Sequence, residues 1–263
     1  MTSQVDSKVA TEVNGSIGHV VLGTPGSMHV IDEPFAIALL DAVKQLSHDE
    51  RVRAVIVSSR ARVFCAGVRF ELVPQLSKPE VARPFIEALH RAIAALAELP
   101  KPTVAAVGGA AFGGGHNLAL ACDVLIASES AVFCQSFGNI GLATDGGSLY
   151  LLPRRVGFHR AKELALTARR LDAPEAYELG AVDEVVADTD LAPRAETVAT
   201  SLAKRSPLSI AAMKRGFVEA QGMTFKESLD LELRLQMPQF ASEDLQRAAA
   251  AFLEKRPITF IGR

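Results

Sequence analysis

Short runs of β-branched and other apolar residues recur along the first half of the chain, each flanked by polar or glycine-containing segments. Runs of this length and composition are typical of strands that are buried on both faces. Such strands occur mainly in parallel sheets that helices cover from above and below. The pattern predicts strands at residues 18–23, 52–58, 103–107, 123–127 and 132–134.

Between these runs the apolar positions follow a helical spacing instead. The predicted helices span residues 32–46, 79–99, 117–122, 207–220, 225–236 and 241–255. Asp32 and Ser206 are suitable N-caps for two of them, because their side-chain oxygens can accept a first-turn backbone N–H. From about residue 146 onward the pattern is almost wholly helical. We therefore predict an α/β core over residues 1–200 followed by a helical region over residues 201–263.

Composition narrows the class of protein. The chain has 263 residues, of which 49% are hydrophobic, so it can bury a full core. Its 28 basic and 30 acidic side chains give a net charge of −2, which argues against a nucleic-acid-binding protein. Three widely spaced cysteines favour a reducing compartment, and residues 1–16 lack the apolar core of a signal peptide. Since no apolar run is long enough to cross a bilayer, we expect a cytoplasmic protein without membrane contact.

A strand, a glycine loop and a helix are predicted in succession over residues 103–123, TVAAVGGAAFGGGHNLALACD. Glycines before a helix leave backbone N–H groups uncovered, and such groups can stabilise negative charge. Close packing of the helix against the strand is the alternative reason for the glycines. The loop is not a P-loop, because no Gly-Lys-Ser/Thr follows it, and it is not a dinucleotide-binding fingerprint, because it lacks the G-x-G-x-x-G spacing.

Three blocks of sequence together resemble the crotonase (enoyl-CoA hydratase/isomerase) superfamily. They are VRAVIVSSRARVFCAGVRF at 52–70, the block around the glycine loop at 99–128, and IGLATDGGSLYLLPRRVGFHRAKELALTARRLDAPEAYELGAVDEVV at 140–186. The resemblance implies repeated ββα units with a C-terminal helical trimerisation region, and a homotrimer or hexamer. It also implies an acyl-CoA thioester as substrate, with coenzyme A as part of that substrate, no separate cofactor and no metal.

The same resemblance implies roles for particular residues. The backbone N–H groups of Val68 and Gly114 would bind the thioester oxygen as it becomes an enolate, and one such donor is worth roughly 100- to 1,000-fold in rate. The other substrate contacts implied by position are Ala66, Gly67, Gly113, His116, Asn117, Phe137, Phe252 and Lys255.

Two departures from the family pattern bear on the reaction. Enoyl-CoA hydratases use a pair of glutamates to hold and activate water, and here those places are Asn117 and Phe137. Neither side chain can act as a carboxylate base, since the amide does not ionise and the phenyl ring has no acceptor. The two-glutamate hydratase reaction is therefore disfavoured.

Asp145, in GLATDGG, matches the position of the catalytic aspartate in dienoyl-CoA isomerases and of the nucleophilic aspartate in 4-chlorobenzoyl-CoA dehalogenases. Burial near an apolar wall would raise the pKa of this carboxyl towards the range that a proton shuttle needs. The alternative is that Asp145 caps a helix that begins near residue 146. We favour catalysis, with Asp145 shuttling a proton during double-bond isomerisation of an unsaturated acyl-CoA.

His90 lies on the helix that precedes the glycine loop, where the dehalogenases carry a histidine base. Packing is the simpler explanation for this histidine, although it could activate water against an ester formed on Asp145. Two other functions therefore stay open. One is a non-catalytic acyl-CoA-binding protein, and the other is dehalogenase- or hydrolase-type chemistry by Asp145 and His90.

Overall fold

A computed structural model of the protein describes residues 5–6 and 8–263. Its strands are β1 (Val5–Asp6), β2 (Val9–Asn14), β3 (Ile17–Leu22), β4 (Met28–His29), β5 (Ala54–Ser59), β6 (Thr103–Val107), β7 (Ala110–Phe112), β8 (Val124–Ser128), β9 (Val132–Cys134), β10 (Leu171–Asp172) and β11 (Glu184–Val186). Its helices are α1 (Glu33–His48), α2 (Pro79–Ala97), α3 (Gly114–Leu120), α4 (Ser148–Val156), α5 (Phe158–Thr167), α6 (Ala173–Glu178), α7 (Leu191–Ala203), α8 (Pro207–Glu219), α9 (Phe225–Phe240) and α10 (Glu243–Leu253). Among these residues, no helix combines the length and the apolar character needed to cross a membrane.

The larger sheet has six strands in the order β11-β8-β6-β5-β3-β2. Its strands run parallel to their neighbours except β2, which is antiparallel to β3. Both faces are covered, as the continuous apolar runs predict. Along β5, Val55 and Val57 face the main core, whereas Ala54 and Ile56 pack against Ala195 and its neighbours on α7.

A second layer of strands lies beside the loop at residues 65–68 and the glycine loop that precedes α3. Strands β7 and β9 pair in parallel, and β10 pairs with β9 in the antiparallel sense. A bridge between Cys65 and Ala111, and another between Ile31 and Val68, continue this layer beyond β7. The run β6–β7–α3 is thus a complete ββα unit, as the resemblance implies.

The predicted elements are largely present, with boundary shifts of a few residues. Asp32 caps α1 by accepting the N–H of Phe35 at 2.9 Å, and Ser206 caps α8. The mainly helical character predicted from about residue 146 onward is confirmed by α4 to α10, and the exceptions are the short strands β10 and β11, of which β11 completes the larger sheet. The boundary at residue 200 falls within α7, and the division into core and helical region stays a prediction.

Candidate active site

The loop after β5 is held on both sides, which fixes the direction of one backbone N–H group. Ala66 donates to the His29 carbonyl at 2.8 Å, and Ile31 donates to the Gly67 carbonyl at 2.8 Å. Gly67 has φ +90°, and a Cβ there would lie 2.9 Å from the Phe112 carbonyl oxygen, so this turn requires glycine. In the bridge between Ile31 and Val68, the hydrogen bonds are made by the Gly67 carbonyl and the Arg69 N–H. The N–H of Val68 lies between them and faces away from Ile31. Within residues 5–6 and 8–263 this N–H meets no acceptor.

The glycine triplet supplies a second free N–H. Gly113 donates to the Cys134 carbonyl at 2.8 Å, and α3 begins at the next residue. Gly115 lies so close to the backbone of Cys65 that a side chain there would overlap it. The triplet therefore serves helix packing at Gly115, as the alternative interpretation holds. It also leaves the N–H of Gly114 without an acceptor among the described residues.

These two loops border one cavity of about 180 Å³. Its lining is Ile31, Ala66, Gly67, Val68, Phe70, Leu76, Phe85, Ile86, Leu89, Gly113, Gly114, Ser136, Phe137, Asn139, Ile140, Leu142 and Asp145. The structure thus brings together six of the predicted site residues besides Asp145. The sequence alone did not single out Leu76, Phe85 or Ile86, since an apolar cavity wall and an apolar core have the same periodicity in a sequence.

Asp145 is the one ionisable side chain among the described residues that line this cavity. Burial raises the pKa of its carboxyl above the ordinary value, and the nearby His90 opposes part of that shift. Its side chain does not cap a helix, because α4 begins at Ser148 and no side chain caps it. Instead the Asp145 carbonyl accepts the N–H of Ser148 at 3.1 Å. The carboxylate is therefore left to face the cavity.

Asn117 and His116 lie behind the cavity wall rather than in its lining. Asn117 is 0% exposed, and its Nδ2 donates to the Asp145 carbonyl at 2.8 Å. His116 packs against Phe133, and burial lowers the pKa of its imidazole to about 3, so it stays neutral at physiological pH. Both contact Gln135, which sequence reasoning missed. The one signal for it is a polar residue directly after the buried run of β9.

Phe137 takes the place of the second hydratase glutamate and lines the cavity, where its ring lies beside Gly113. The ring supplies no acceptor for a water molecule. With Asn117 already bonded behind the wall, neither of the two hydratase positions presents a carboxylate to the cavity.

His90 is exposed on α2 and lines a neighbouring cavity of about 660 Å³ instead of the one that contains Val68 and Gly114. Gly146 donates its N–H to His90 Nε2 at 3.4 Å. The segment that carries Asp145 thus separates the two cavities. His90 is close enough to influence the carboxyl but does not border the cavity that Asp145 lines.

Two of the predicted substrate contacts lie away from this cavity. Phe252 is 79% exposed and Lys255 is exposed, and neither lines the cavity of its own chain. Burial raises the pKa of the Cys65 thiol to about 12, so this cysteine beside the oxyanion loop is not a thiolate nucleophile. No cluster of three or more potential metal ligands occurs in the part of the chain that the structure describes.

Known proteins share this architecture. The family model for enoyl-CoA hydratase/isomerase matches residues 12–263. The chain is 32% identical to 1,2-epoxyphenylacetyl-CoA isomerase of Escherichia coli strain K12, over 97% of this chain and 98% of that protein. It is 35% identical to 4-chlorobenzoyl coenzyme A dehalogenase-2 of Arthrobacter sp, over 77% of this chain and 75% of that protein.

A solved structure, that of an enoyl-CoA hydratase from Polaromonas sp. JS666, matches with a TM-score of 0.91 at 30% identity. The match covers 96% of this chain and 99% of that one, which confirms the crotonase fold. Agreement of the family model, the relatives and the solved structure over nearly the whole length confirms the resemblance: the chain belongs to the enoyl-CoA hydratase/isomerase family.

Proposed function

We propose that the protein isomerises the double bond of an unsaturated acyl-CoA, with Asp145 as the proton shuttle. The observation that carries this proposal is the lining of one cavity. Val68 and Gly114 offer it two free N–H groups, and Asp145 is its one ionisable side chain among the described residues. An oxyanion site and a single carboxyl are what a 1,3-proton transfer next to a thioester requires.

The reaction can be written with these groups alone. The Asp145 carboxylate removes a proton from a carbon of the acyl chain, so a C–H bond breaks and an O–H bond forms. The electron pair moves through the conjugated carbons to the thioester oxygen, where the N–H groups of Val68 and Gly114 stabilise the negative charge. The pair then returns, and the same carboxyl delivers its proton to a different carbon. No separate cofactor is needed in this scheme, because the thioester itself accepts the electron pair.

The surroundings of the cavity support isomerisation over hydration. Addition of water needs a group that orients and deprotonates it. Phe137 offers the cavity a hydrocarbon surface, and the Asn117 amide is bonded to the Asp145 carbonyl and to Gln135. The enolate of the thioester formed in this cavity is therefore expected to be protonated by Asp145, because no side chain of the described residues there activates water for addition.

Asp145→Asn tests the proposal, because the amide has the same shape but cannot accept and return a proton. We expect isomerisation of unsaturated acyl-CoA thioesters to fall by about 100- to 10,000-fold, with acyl-CoA affinity changed only slightly. Glu71→Gln is the matched control, since Glu71 is an exposed acid near the cavity that does not line it. Unchanged turnover in Asp145→Asn would remove Asp145 from the mechanism. Binding by the wild type without turnover over a broad panel would instead identify a non-catalytic acyl-CoA-binding protein.

A second candidate function rests on the closeness of His90 to Asp145, since His90 lowers the pKa of that carboxyl from the neighbouring cavity. There a carboxylate oxygen of Asp145 attacks an aromatic carbon, the ring expels its substituent as an anion, and water hydrolyses the resulting ester with His90 as base. Mass spectrometry during single turnover distinguishes the two reactions. A covalent mass increase on the peptide that contains Asp145 supports the second, and its absence during turnover supports isomerisation.

We also propose that the protein assembles as a homotrimer or a dimer of trimers. Helices α8 and α9 border an apolar groove of about 570 Å³. Large apolar side chains lie exposed on and around them, namely Met213, Phe217, Phe225, Leu233, Met237 and Phe240. An exposed apolar surface of this kind marks a protein interface.

A further inference from the structure

The segment that carries Asp145 is not fixed by the carboxylate itself. Within residues 5–6 and 8–263, no group donates a hydrogen bond to the Asp145 carboxylate. Two glycines with positive φ follow it, Gly146 at +57° and Gly147 at +83°. Because glycine restricts the backbone little, the position of this carboxylate depends on contacts made elsewhere in the segment.

Two buried amides make those contacts. Asn117 donates from Nδ2 to the Asp145 carbonyl at 2.8 Å. Gln135 Oε1 accepts the hydroxyl of Ser148 at 2.9 Å and that of Thr144 at 3.3 Å. The segment is therefore held at Asp145 itself and on both sides of it.

The two amides also hold each other. Gln135 Nε2 donates to Asn117 Oδ1 at 2.9 Å and to His116 Nδ1 at 3.0 Å. Gln135 is 2% exposed and Asn117 is 0% exposed, so a lost hydrogen bond would not be replaced by bulk water. Both Gln135 amide hydrogens and both of its acceptor directions are in use. A network of this kind specifies one arrangement of the groups it joins.

We infer that Gln135 and Asn117 are positioning residues, which hold the Asp145 carboxylate where it reaches the substrate carbons. The inference rests on the proposed function of Asp145. It gives a role to Asn117, which stands where hydratases carry a water-activating glutamate. In this protein the same position anchors a carboxyl that belongs to a different segment.

Gln135→Met and Asn117→Leu test the inference, because each keeps roughly the size of the side chain and removes its hydrogen-bonding groups. Thr103→Val is the matched control. Thr103 is also 0% exposed and bonds Asp123 through its hydroxyl, but lies at the start of β6, away from the cavity. Thr144→Val removes only one bond to Gln135, and so provides a milder variant if the larger changes prevent folding.

Hydrogen–deuterium exchange of the peptide that covers residues 141–150 measures how far the two amides restrict opening of the segment that carries Asp145. We expect exchange to be about 10-fold faster or more in Gln135→Met and Asn117→Leu, since the Ser148 N–H bonded to the Asp145 carbonyl would open more often. Thr144→Val should show a smaller increase. The control should leave this peptide at its wild-type rate.

Kinetics measure the consequence for catalysis. A displacement of about 1 Å can cost on the order of 100-fold, so we expect kcat to fall by about 10- to 100-fold with KM nearly unchanged. The acid limb of the pH profile should move to lower pH, because a loosened carboxyl is better hydrated. The titratable groups around Asp145 are His90 from α2 and, through Gln135, His116 from α3. No variant replaces either histidine, and only Gln135→Met removes a hydrogen bond to one of them, His116.

Wild-type exchange of the 141–150 peptide in both variants would overturn the inference. Faster exchange in these variants would also overturn it if their kcat and the acid limb of their pH profile stayed at the wild-type values. A wild type without Asp145-dependent turnover would refute the proposed function instead. In that case the exchange rates alone still decide whether the two amides hold the segment.

Discussion

Asp145 differs from most of the protein's acids in its surroundings rather than in its chemistry. Several of the other acids are paired with a cation, as Glu163 is with Arg169, which lowers the pKa of that carboxyl. Asp145 is half-buried, its carboxylate accepts no hydrogen bond from the described residues, and its pKa is raised. A carboxyl that is neither paired nor well hydrated holds its proton more tightly, which makes both removal and return of a substrate proton feasible.

The pH profile of kcat/KM follows from this residue. Proton removal needs the carboxylate, so activity is lost as the pH falls through the pKa of Asp145. Since burial raises that pKa, we expect the acid limb to lie above the ordinary aspartate value of about 3.9. His90 lowers the pKa of Asp145, so His90→Gln should move the limb to still higher pH. A limb at or below the ordinary value in the wild type would contradict this assignment.

At the scale of elements, the loop at residues 65–68, which carries the Val68 N–H, forms one packed unit with α3. Cys65 bridges to Ala111 on β7, and Gly115 on α3 lies against the backbone of the same cysteine. Gly67 lies under the Phe112 carbonyl. Close backbone contacts therefore join the two segments that carry the N–H donors Val68 and Gly114.

Gly115→Ala should therefore destabilise the fold more than an ordinary glycine substitution. Overpacking costs typically about 1–3 kcal/mol, and each kcal/mol corresponds to roughly 2–4 °C in Tm for a chain of this size class. Gly138→Ala is the control, because its nearest neighbour would lie 4.0 Å from the new Cβ. We expect thermal unfolding to show a clear fall in Tm for Gly115→Ala and little change for Gly138→Ala. Equal effects would show that the contact with Cys65 is not restrictive.

The elements that the sequence predicts are those whose signal is local. β5 and β6 are long apolar runs, and α1 has a capping side chain at Asp32. Strands β10 and β11, of two and three residues, are too short to show a period, and they exist because β9 and β8 offer them partners. The partnership of Asn117 with Gln135 has the same origin, since it joins residues that only the tertiary fold brings together.

The whole molecule presents an apolar surface that its own chain leaves uncovered. Phe217 and Phe225, on α8 and α9, are 78% and 79% exposed. Keeping such rings in water is unfavourable, and burial against another copy of the chain removes them from it. The helical C-terminal region is thus the part of the molecule best suited to assembly.

Solution mass tests this assignment. We expect a particle of three or six times the 28.0 kDa chain by light scattering after size exclusion. Phe217→Asp should shift the mass towards the single chain, because a buried unpaired charge is strongly unfavourable. Ile37→Asp, on α1 and 51% exposed, is the control and should leave the mass unchanged. A single-chain mass for the wild type would refute the trimer.

The contact between Gly115 and Cys65 also bears on how this fold can change its chemistry. The two N–H donors belong to one closely packed unit. A substitution that shifts one donor is therefore expected to shift the other as well. The side chains at 137 and 145 belong to other parts of the wall and can be exchanged without changing that unit. New reactions on this scaffold are therefore expected to arise by replacing acids and rings around an unchanged charge-stabilising centre.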